Sequence, residues 1–311
     1  MLLKTQIIVN PESDQGRTGR RWKHIKEALQ SFIKEFKYDF TEKPLQAADL
    51  TRTAIKEGNE LIVGVGGDGT MNEIANGFYE NREIVNPEAT LGIIPSGCGC
   101  DFRKSLNIPS GLKSSLKVIS ESPSTRIDIG RATFQSLSGK EEERLFLNVD
   151  DFGFGGEVAK KFNQRRMSRR PSSYLRCMLS TIIKYKNKRL KIKIDQEENP
   201  EDEYLVGAVA NGKIFGKGMK IAPQARLDDR VFDFVLVKGM ELLEFFLNCW
   251  KVYTGTHLSH PKISLIRSQK IKAIPHRNEG DVLIELDGEL PGKLPATFEI
   301  IPNGFLVKGY L

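Results

Sequence analysis

The seven residues Gly64-Val65-Gly66-Gly67-Asp68-Gly69-Thr70 leave this chain few options. They follow the apolar run Leu61-Ile62-Val63 and precede a helical pattern from Met71 to Phe78. A glycine-dense turn between a buried strand and a helix presents bare backbone N–H groups, and phosphate is the usual guest of such a turn. The Asp68 carboxylate within it repels phosphate unless a cation or hydrogen bonds offset its charge, so the turn reads as a site for metal-bound nucleotide. Its letters also satisfy the dinucleotide fingerprint G-x-G-x-x-G. That reading fails, because the acid about 20 residues on should end the next strand, whereas Glu88 precedes the strand at 91–94. No G-x-x-x-x-G-K-[ST] sequence is present.

Around the turn, strands alternate with helices. Strands are predicted at 3–9, 38–41, 61–65 and 91–95, and helices at 18–36 and 47–57. This alternation predicts a parallel sheet with βαβ crossovers. Ligands of such sheets bind at the C-terminal strand ends. Asn10, Thr41, Gly66 to Thr70 and Pro95 to Gly99 all lie at such ends, which predicts loops converging on one cleft.

A helix over 112–120 closes this half. Strand-like runs then dominate, at 145–149, 189–194, 204–210, 231–237, 263–274, 282–287, 297–301 and 305–308. Short turns between them predict a mostly antiparallel β half. Helical patterns interrupt it at 157–186 and 240–254. The expected division is a domain over 1–124 and another over 125–294.

The chain has 311 residues, 39% hydrophobic and 28% charged, enough for two cores. A net charge of +7 favours anionic partners: nucleotide, nucleic acid or a membrane surface. No nucleic-acid-binding sequence supports the second. Residues 160–193 hold thirteen Lys or Arg and no acid, around an apolar stripe that includes Tyr174, Met178 and Ile182. The stripe reads first as packing on the β half, and second as a peripheral contact with anionic membrane. No apolar run is long enough to span a bilayer, and the start of the chain reads as a strand rather than a signal peptide. The four cysteines suggest no disulfide framework and fit a reducing, cytoplasmic setting. Cys98 and Cys100 lack further zinc ligands at sensible spacing and read as uncharged lining of the cleft.

Two acidic turns stand out. In Leu286-Asp287-Gly288-Glu289, carboxylates flank a glycine at a strand end. Phosphoryl transfer to an alcohol needs a carboxylate to accept the hydroxyl proton. The plain alternative is a surface turn, for which Asp-Gly is common. In Leu227-Asp228-Asp229-Arg230, paired aspartates with backbone carbonyls could hold a hard cation, or form an exposed turn.

Taken in order, these stretches resemble the diacylglycerol kinase catalytic-domain family, and most closely its bacterial soluble lipid kinases. Asn10-Pro11 with Gly16 is similar to the family's first phosphate loop, and Thr41 to its threonine at the second strand's end. Gly66-Gly67-Asp68-Gly69-Thr70 with Asn72-Glu73 matches the signature that the family shares with NAD kinases. The segment from Pro95 to Phe102, followed by Leu106-Asn107-Ile108-Pro109, resembles its Pro-x-Gly-Thr-x-Asn-Asp-Phe element.

The resemblance implies an α/β nucleotide domain with a NAD-kinase-like parallel sheet, a C-terminal β-sandwich for the lipid, a cleft between them, and a return of 295–311 to the first domain. It implies ATP as donor and a lipid hydroxyl as acceptor, typically of diacylglycerol, giving phosphatidic acid. A sphingoid base or phosphatidylglycerol stays open as acceptor. Carried over, Asn10, Thr41, Gly66, Gly67, Gly69, Thr70, Glu73, Gly97 and Cys98 line the nucleotide. Asp68 organises Mg²⁺ and phosphate, and Asp287 and Glu289 share the proton-acceptor role. Asp229, with main-chain oxygens of Arg226 and Val231, holds a structural Mg²⁺. Three residues depart from the family pattern: Cys98 for Thr, Cys100 for Asn, and Asp14 for a common Gly. Losing one hydrogen bond to a charged group costs roughly 1.5–3 kcal/mol. An active kinase is expected, with a non-catalytic nucleotide- or lipid-binding homologue as the alternative.

Overall fold

The structure is a computed structural model that describes residues 3–97, 99–164 and 171–311. The chain forms two compact units, Met1–Ile129 with Pro302–Leu311, and Gly130–Ile301.

The first unit is a parallel sheet with helices packed on it. Its strands are β1 (Thr5–Val9), β2 (Lys37–Phe40), β3 (Leu61–Gly66) and β4 (Thr90–Pro95). β1 lies between β2 and β3, and β3 pairs β4. Leu306 and Val307 then run alongside Thr90 and Leu91, again parallel. β1 and β3 are buried along their whole length, as apolar runs in a sheet covered on both faces must be. Three helices of this unit are α1 (Arg17–Gln30), α2 (Gln46–Lys56) and α3 (Asp68–Gly77). A fourth, α4, spans Leu112–Glu121.

Helix α1 buries Thr18, Trp22, Ile25 and Leu29, one stripe at helical spacing. It ends earlier than the sequence pattern suggests. The amides of Ser31 and Phe32 bond the carbonyls of Ala28 and Leu29, a tightened last turn that lays Ile33 into the core.

The second unit is antiparallel and sandwich-like. Its strands are β5 (Ser124–Ser136, which begins in the first unit), β6 (Glu141–Phe146), β7 (Val149–Gly153), β8 (Lys188–Ile194) and β9 (Asp202–Ala210). β10 (Phe232–Lys238), β11 (Ile263–Ser268), β12 (Lys270–Pro275), β13 (Leu283–Leu286) and β14 (Glu289–Lys308) follow. β7 pairs β9 and β13, β9 pairs β10, and β10 pairs β11. β12 joins β8 to β14. Phe146, Phe152, Phe232, Phe234 and Phe298 fill the space enclosed, with Phe146 stacked 5.5 Å from Phe232 and Phe152 stacked 6.1 Å from Phe298. Three helices, α5 (Phe154–Gln164), α6 (Pro171–Ile182) and α7 (Leu242–Asn248), cover the opposite face of β7, β9 and β10.

The α/β unit followed by an antiparallel β unit is the fold class read from the sequence. Two strands break where apolar patterning runs on. The run 263–274 splits at Gln269, because Asp195 Oδ1 accepts the amides of Gln269 and Lys270 at 3.0 and 2.9 Å. The run 145–149 splits at Leu147-Asn148, whose amides are likewise diverted to a carboxylate. The single helical pattern over 157–186 is two helices, and part of it, 165–170, lies outside the described residues. Among the described residues, no helix is long and apolar enough to cross a membrane.

Candidate active site

In the first unit the expected loops do meet at the C-terminal strand ends. Asn10 leaves β1 with its amide on the Val65 carbonyl, and its Nδ2 donates to Thr70 Oγ1 at 3.0 Å. Ser13 Oγ donates to the Ser96 carbonyl at 2.6 Å, and Thr18 Oγ1 lies 2.5 Å from Ser96 Oγ. The Ser96 amide reaches the Gly66 carbonyl at 2.8 Å. Thr41 follows β2, its amide on the Val9 carbonyl at 2.9 Å. The ends of β1, β3 and β4 are therefore tied into one rim, which Thr41 joins only by continuing the β1–β2 ladder.

Glycine is required here by space. A Cβ on Gly97 would stand 2.6 Å from the Gly67 Cα, and one on Gly66 would strike Thr70 Oγ1 at 2.5 Å. The two loops touch through backbone, so their peptide groups rather than side chains form the surface. Gly67 precedes α3, with Asp68, Gly69 and Thr70 as its first turn. An anion seated there meets the positive end of that helix.

Asp68 resolves the electrostatic problem posed by its position. Its Oδ2 accepts the Asp101 amide at 2.9 Å and its Oδ1 the Phe102 amide at 3.1 Å. The carboxylate thus binds the start of the helical turn Phe102–Ser105 and staples the 95–102 loop to the glycine turn. Cys100 lies under this staple. Burial first, and then the Asp68 charge, push its thiol up to about 12, so it is an uncharged lining group. Cys98 falls outside the described residues. Glu73 faces elsewhere, accepting the Ala47 amide at 3.2 Å and fixing α2 against α3. Asp14, the negative newcomer in the first loop, has Arg17 at 3.6 Å, which partly offsets its charge.

In the second unit, Asp287 and Gly288 both have positive φ, 47° and 92°. They make the two-residue turn between β13 and β14, with Leu286 opposite Glu289. Such turns need two left-handed residues, which Asp-Gly supplies. The Asp287 carboxylate accepts the amides of Leu147 and Asn148 at 2.8 and 3.0 Å. The break between β6 and β7 exists to make those bonds. Glu289 extends the other way to Arg144 at 3.2 Å. The two acids are thus held by different partners, one by backbone and one by a guanidinium.

Three further carboxyls sit beneath this turn. Asp150, Asp151 and Glu285 are all buried. Asp151 and Glu285 face each other across β7 and β13, and Asp150 projects to the opposite face. Burial, and then the Asp287 charge, hold Asp150 well above the ordinary carboxylate range. Burial pushes Asp151 up to about 7. Burial and the neighbouring Asp151 push Glu285 well above its usual value. The sequence reading passed over these acids, although the doublet Asp150-Asp151 inside an apolar strand was a visible signal.

Asp151 also forms part of the wall of a cavity of about 110 Å³ within this unit. Apart from that carboxyl the wall is largely apolar, with Phe154, Met178, Leu205, Val237 and Phe245 among its residues.

At the turn before β10, Asp229 pairs with Arg267, while its Oδ1 is buried with no hydrogen-bond partner among the described residues. Asp228 turns away to Arg226 at 3.0 Å. Among the described residues, no three His, Cys, Asp or Glu side chains cluster as a metal site.

These features can be set beside known proteins. Residues 4–132 match the model of the diacylglycerol kinase catalytic domain, and residues 149–308 that of the YegS C-terminal NAD kinase beta sandwich-like domain. The chain belongs to the diacylglycerol kinase family. The family assignment makes it a kinase of lipids, a phosphotransferase. Diacylglycerol kinases of two Staphylococcus aureus strains, bovine RF122 / ET3-1 and MRSA252, are each 29% identical over 307 residues, covering 96% of this chain and 90% of theirs. A crystal structure of a diacylglycerol kinase from Bacillus anthracis str. Sterne shares the fold, with a TM-score of 0.72 at 24% identity, over 98% of this chain and 96% of that one.

Proposed function

We propose that this diacylglycerol kinase family member transfers the γ-phosphate of ATP to the free hydroxyl of diacylglycerol, giving ADP and phosphatidic acid. The observation that carries the nucleotide half is the backbone-lined rim of Asn10, Gly66 to Thr70 and Ser96-Gly97, where glycine is sterically required. The names of the Staphylococcus aureus relatives support the acceptor.

In this reading the rim and the α3 N-terminus seat the phosphates, and Asp68 keeps the rim's two loops in register. The lipid oxygen forms a bond to γ-phosphorus as the bond to the bridging oxygen of ADP breaks. The hydroxyl proton passes to a carboxylate of the Asp287-Gly288-Glu289 turn. Asp287 is the better oriented, since two amides fix its plane. Mg²⁺ would neutralise phosphate charge. A separate, structural Mg²⁺ is assigned to the orphan Oδ1 of Asp229 together with the Arg226 and Val231 main-chain oxygens. We place the nucleotide domain over 1–124 with 295–311, and the lipid domain over 125–294.

The test is transfer of labelled γ-phosphate to a panel of diacylglycerol, a sphingoid base and phosphatidylglycerol in mixed micelles, with NAD as a separate acceptor. Diacylglycerol should be labelled, with the label lost in Asp287→Asn or Glu289→Gln. Robust turnover by both variants refutes the assigned roles, and labelling of another acceptor alone refutes the substrate. A non-catalytic homologue would bind ATP without turnover and regain it when Cys98 and Cys100 become Thr and Asn.

A further inference from the structure

Single exposed apolar side chains are ordinary on a protein surface, but a contiguous cluster calls for a reason. Five lie within nine residues of the second unit: Leu242 is 42% exposed, Leu243 70%, Phe246 37%, Leu247 63% and Trp250 55%. The helix α7 carries four of them. Cys249 and Trp250 keep right-handed helical dihedrals, so the spiral continues to the turn Lys251–Thr254. Leu243, Phe246, Leu247 and Trp250 therefore fall at i, i+3, i+4 and i+7, one outward stripe. Phe245, Asn248, Cys249 and Val252 repeat the same spacing on the inner side, and these line the cavity of which Asp151 forms part of the wall. The segment is apolar on two faces, one against the cavity and one against water.

The outward stripe is rigidly presented. Glu241 and Glu244 form a reciprocal capping box at the start of α7. Glu244 is in turn held by Lys262 at 2.6 Å and His260 at 3.5 Å. Lysines flank the stripe. Lys251 follows Trp250 and donates to Asn248 Oδ1 at 2.8 Å, and the exposed Lys220 bonds the Val252 carbonyl through its amide, whereas Lys238, before the segment, is paired with Asp202. A tryptophan and lysines around leucine and phenylalanine are the residues that settle at a bilayer–water boundary. Five side chains fall well short of the roughly 20–30 residues per side of a stable protein interface, which argues against a second copy as the occupant. The chain's net charge of +7 complements an anionic lipid surface.

We propose that the stripe Leu243, Phe246, Leu247 and Trp250 seats this protein on the surface of an anionic phospholipid bilayer. The inference takes from the lipid-kinase reading only that the substrate resides in a bilayer. It differs from the membrane contact suggested by the basic stretch 160–193.

The protein has two tryptophans, and Trp22 is buried, so Trp250 alone is open to a quencher in lipid. The experiment mixes full-length protein, without nucleotide, with vesicles of phosphatidylglycerol and phosphatidylcholine carrying brominated acyl chains. A blue shift and quenching that vanish in Trp250→Phe are expected, with weaker binding to phosphatidylcholine alone. Leu243→Ser with Leu247→Ser should lower partitioning roughly tenfold or more, with unchanged circular dichroism because both positions are exposed. Vesicle binding with Trp250 neither shifted nor quenched overturns the proposal in favour of another surface. Absence of binding to anionic vesicles overturns it outright, as does a dimer in sedimentation equilibrium that the double variant dissociates. No turnover enters the readout, so failure of the kinase reading would show separately, as unlabelled lipid from protein that still binds vesicles.

Discussion

Replacing Asp151 by asparagine should stabilise the second unit at alkaline pH and leave it unchanged near pH 4. Asp151 is fully buried, and its carboxyl titrates at about 7 instead of the ordinary 3.8. The unfolded chain releases this proton near 3.8 and the folded chain only near 7. Between those values the unfolded state carries fewer protons, so rising pH favours unfolding. The contribution is complete below the unfolded value, is lost progressively as pH rises to about 7, and is flat above. A gap of about 3 pH units at 1.36 kcal/mol each gives about 4 kcal/mol. Asparagine has the shape of the protonated acid and nothing to titrate. Urea unfolding followed by far-ultraviolet circular dichroism at steps from pH 4 to 8 should show the wild-type and variant curves coinciding at the acid end. They should separate to several kcal/mol by pH 8. Parallel profiles across the range would refute the claim that a buried proton is held at Asp151.

Other outcomes follow from the same geometry. Asp68→Asn replaces one of two acceptors by a donor facing an amide, and should cost about 2–3 kcal/mol in the first unit, read as a fall in its melting temperature. An unchanged melting temperature with lost turnover would assign Asp68 to chemistry alone. Gly97→Ala must push the 95–102 loop off Gly67, so ATP affinity by calorimetry should fall about tenfold or more; wild-type affinity would mean the rim is not the nucleotide seat. Mg²⁺ at millimolar concentration should raise the thermal midpoint of the wild type but not of Asp229→Ala, whereas equal responses would place the cation elsewhere.

The glycine turn was legible because steric demand is written residue by residue: only glycine fits at 66 and 97, and it appears there. The acids at 150, 151 and 285 left one trace, the doublet Asp150-Asp151 in an apolar strand, and that trace misleads for a definite reason. An acid in an antiparallel strand ordinarily marks the solvent face, but β7 has phenylalanines on one side and helices on the other, so neither face is wet. Sequence periodicity reports alternation without saying what covers each side. The break at Leu147-Asn148 escaped for a similar reason: the partner that diverts those amides, Asp287, lies 140 residues further along. The segment 242–250 read simply as helix, since an apolar stripe looks the same from the sequence whether it meets protein or water.

The path of β14 bears on how the protein is made. Its last residues, Leu306 and Val307, are the strand neighbours of Thr90 and Leu91. A ribosome adding about 5–20 residues per second reaches them roughly 10–40 s after it has passed β4. For that interval β4 has an open edge, while the entire second unit is being produced. Newly made first units are therefore briefly adhesive, and slower translation through residues 130–301 would lengthen their exposure.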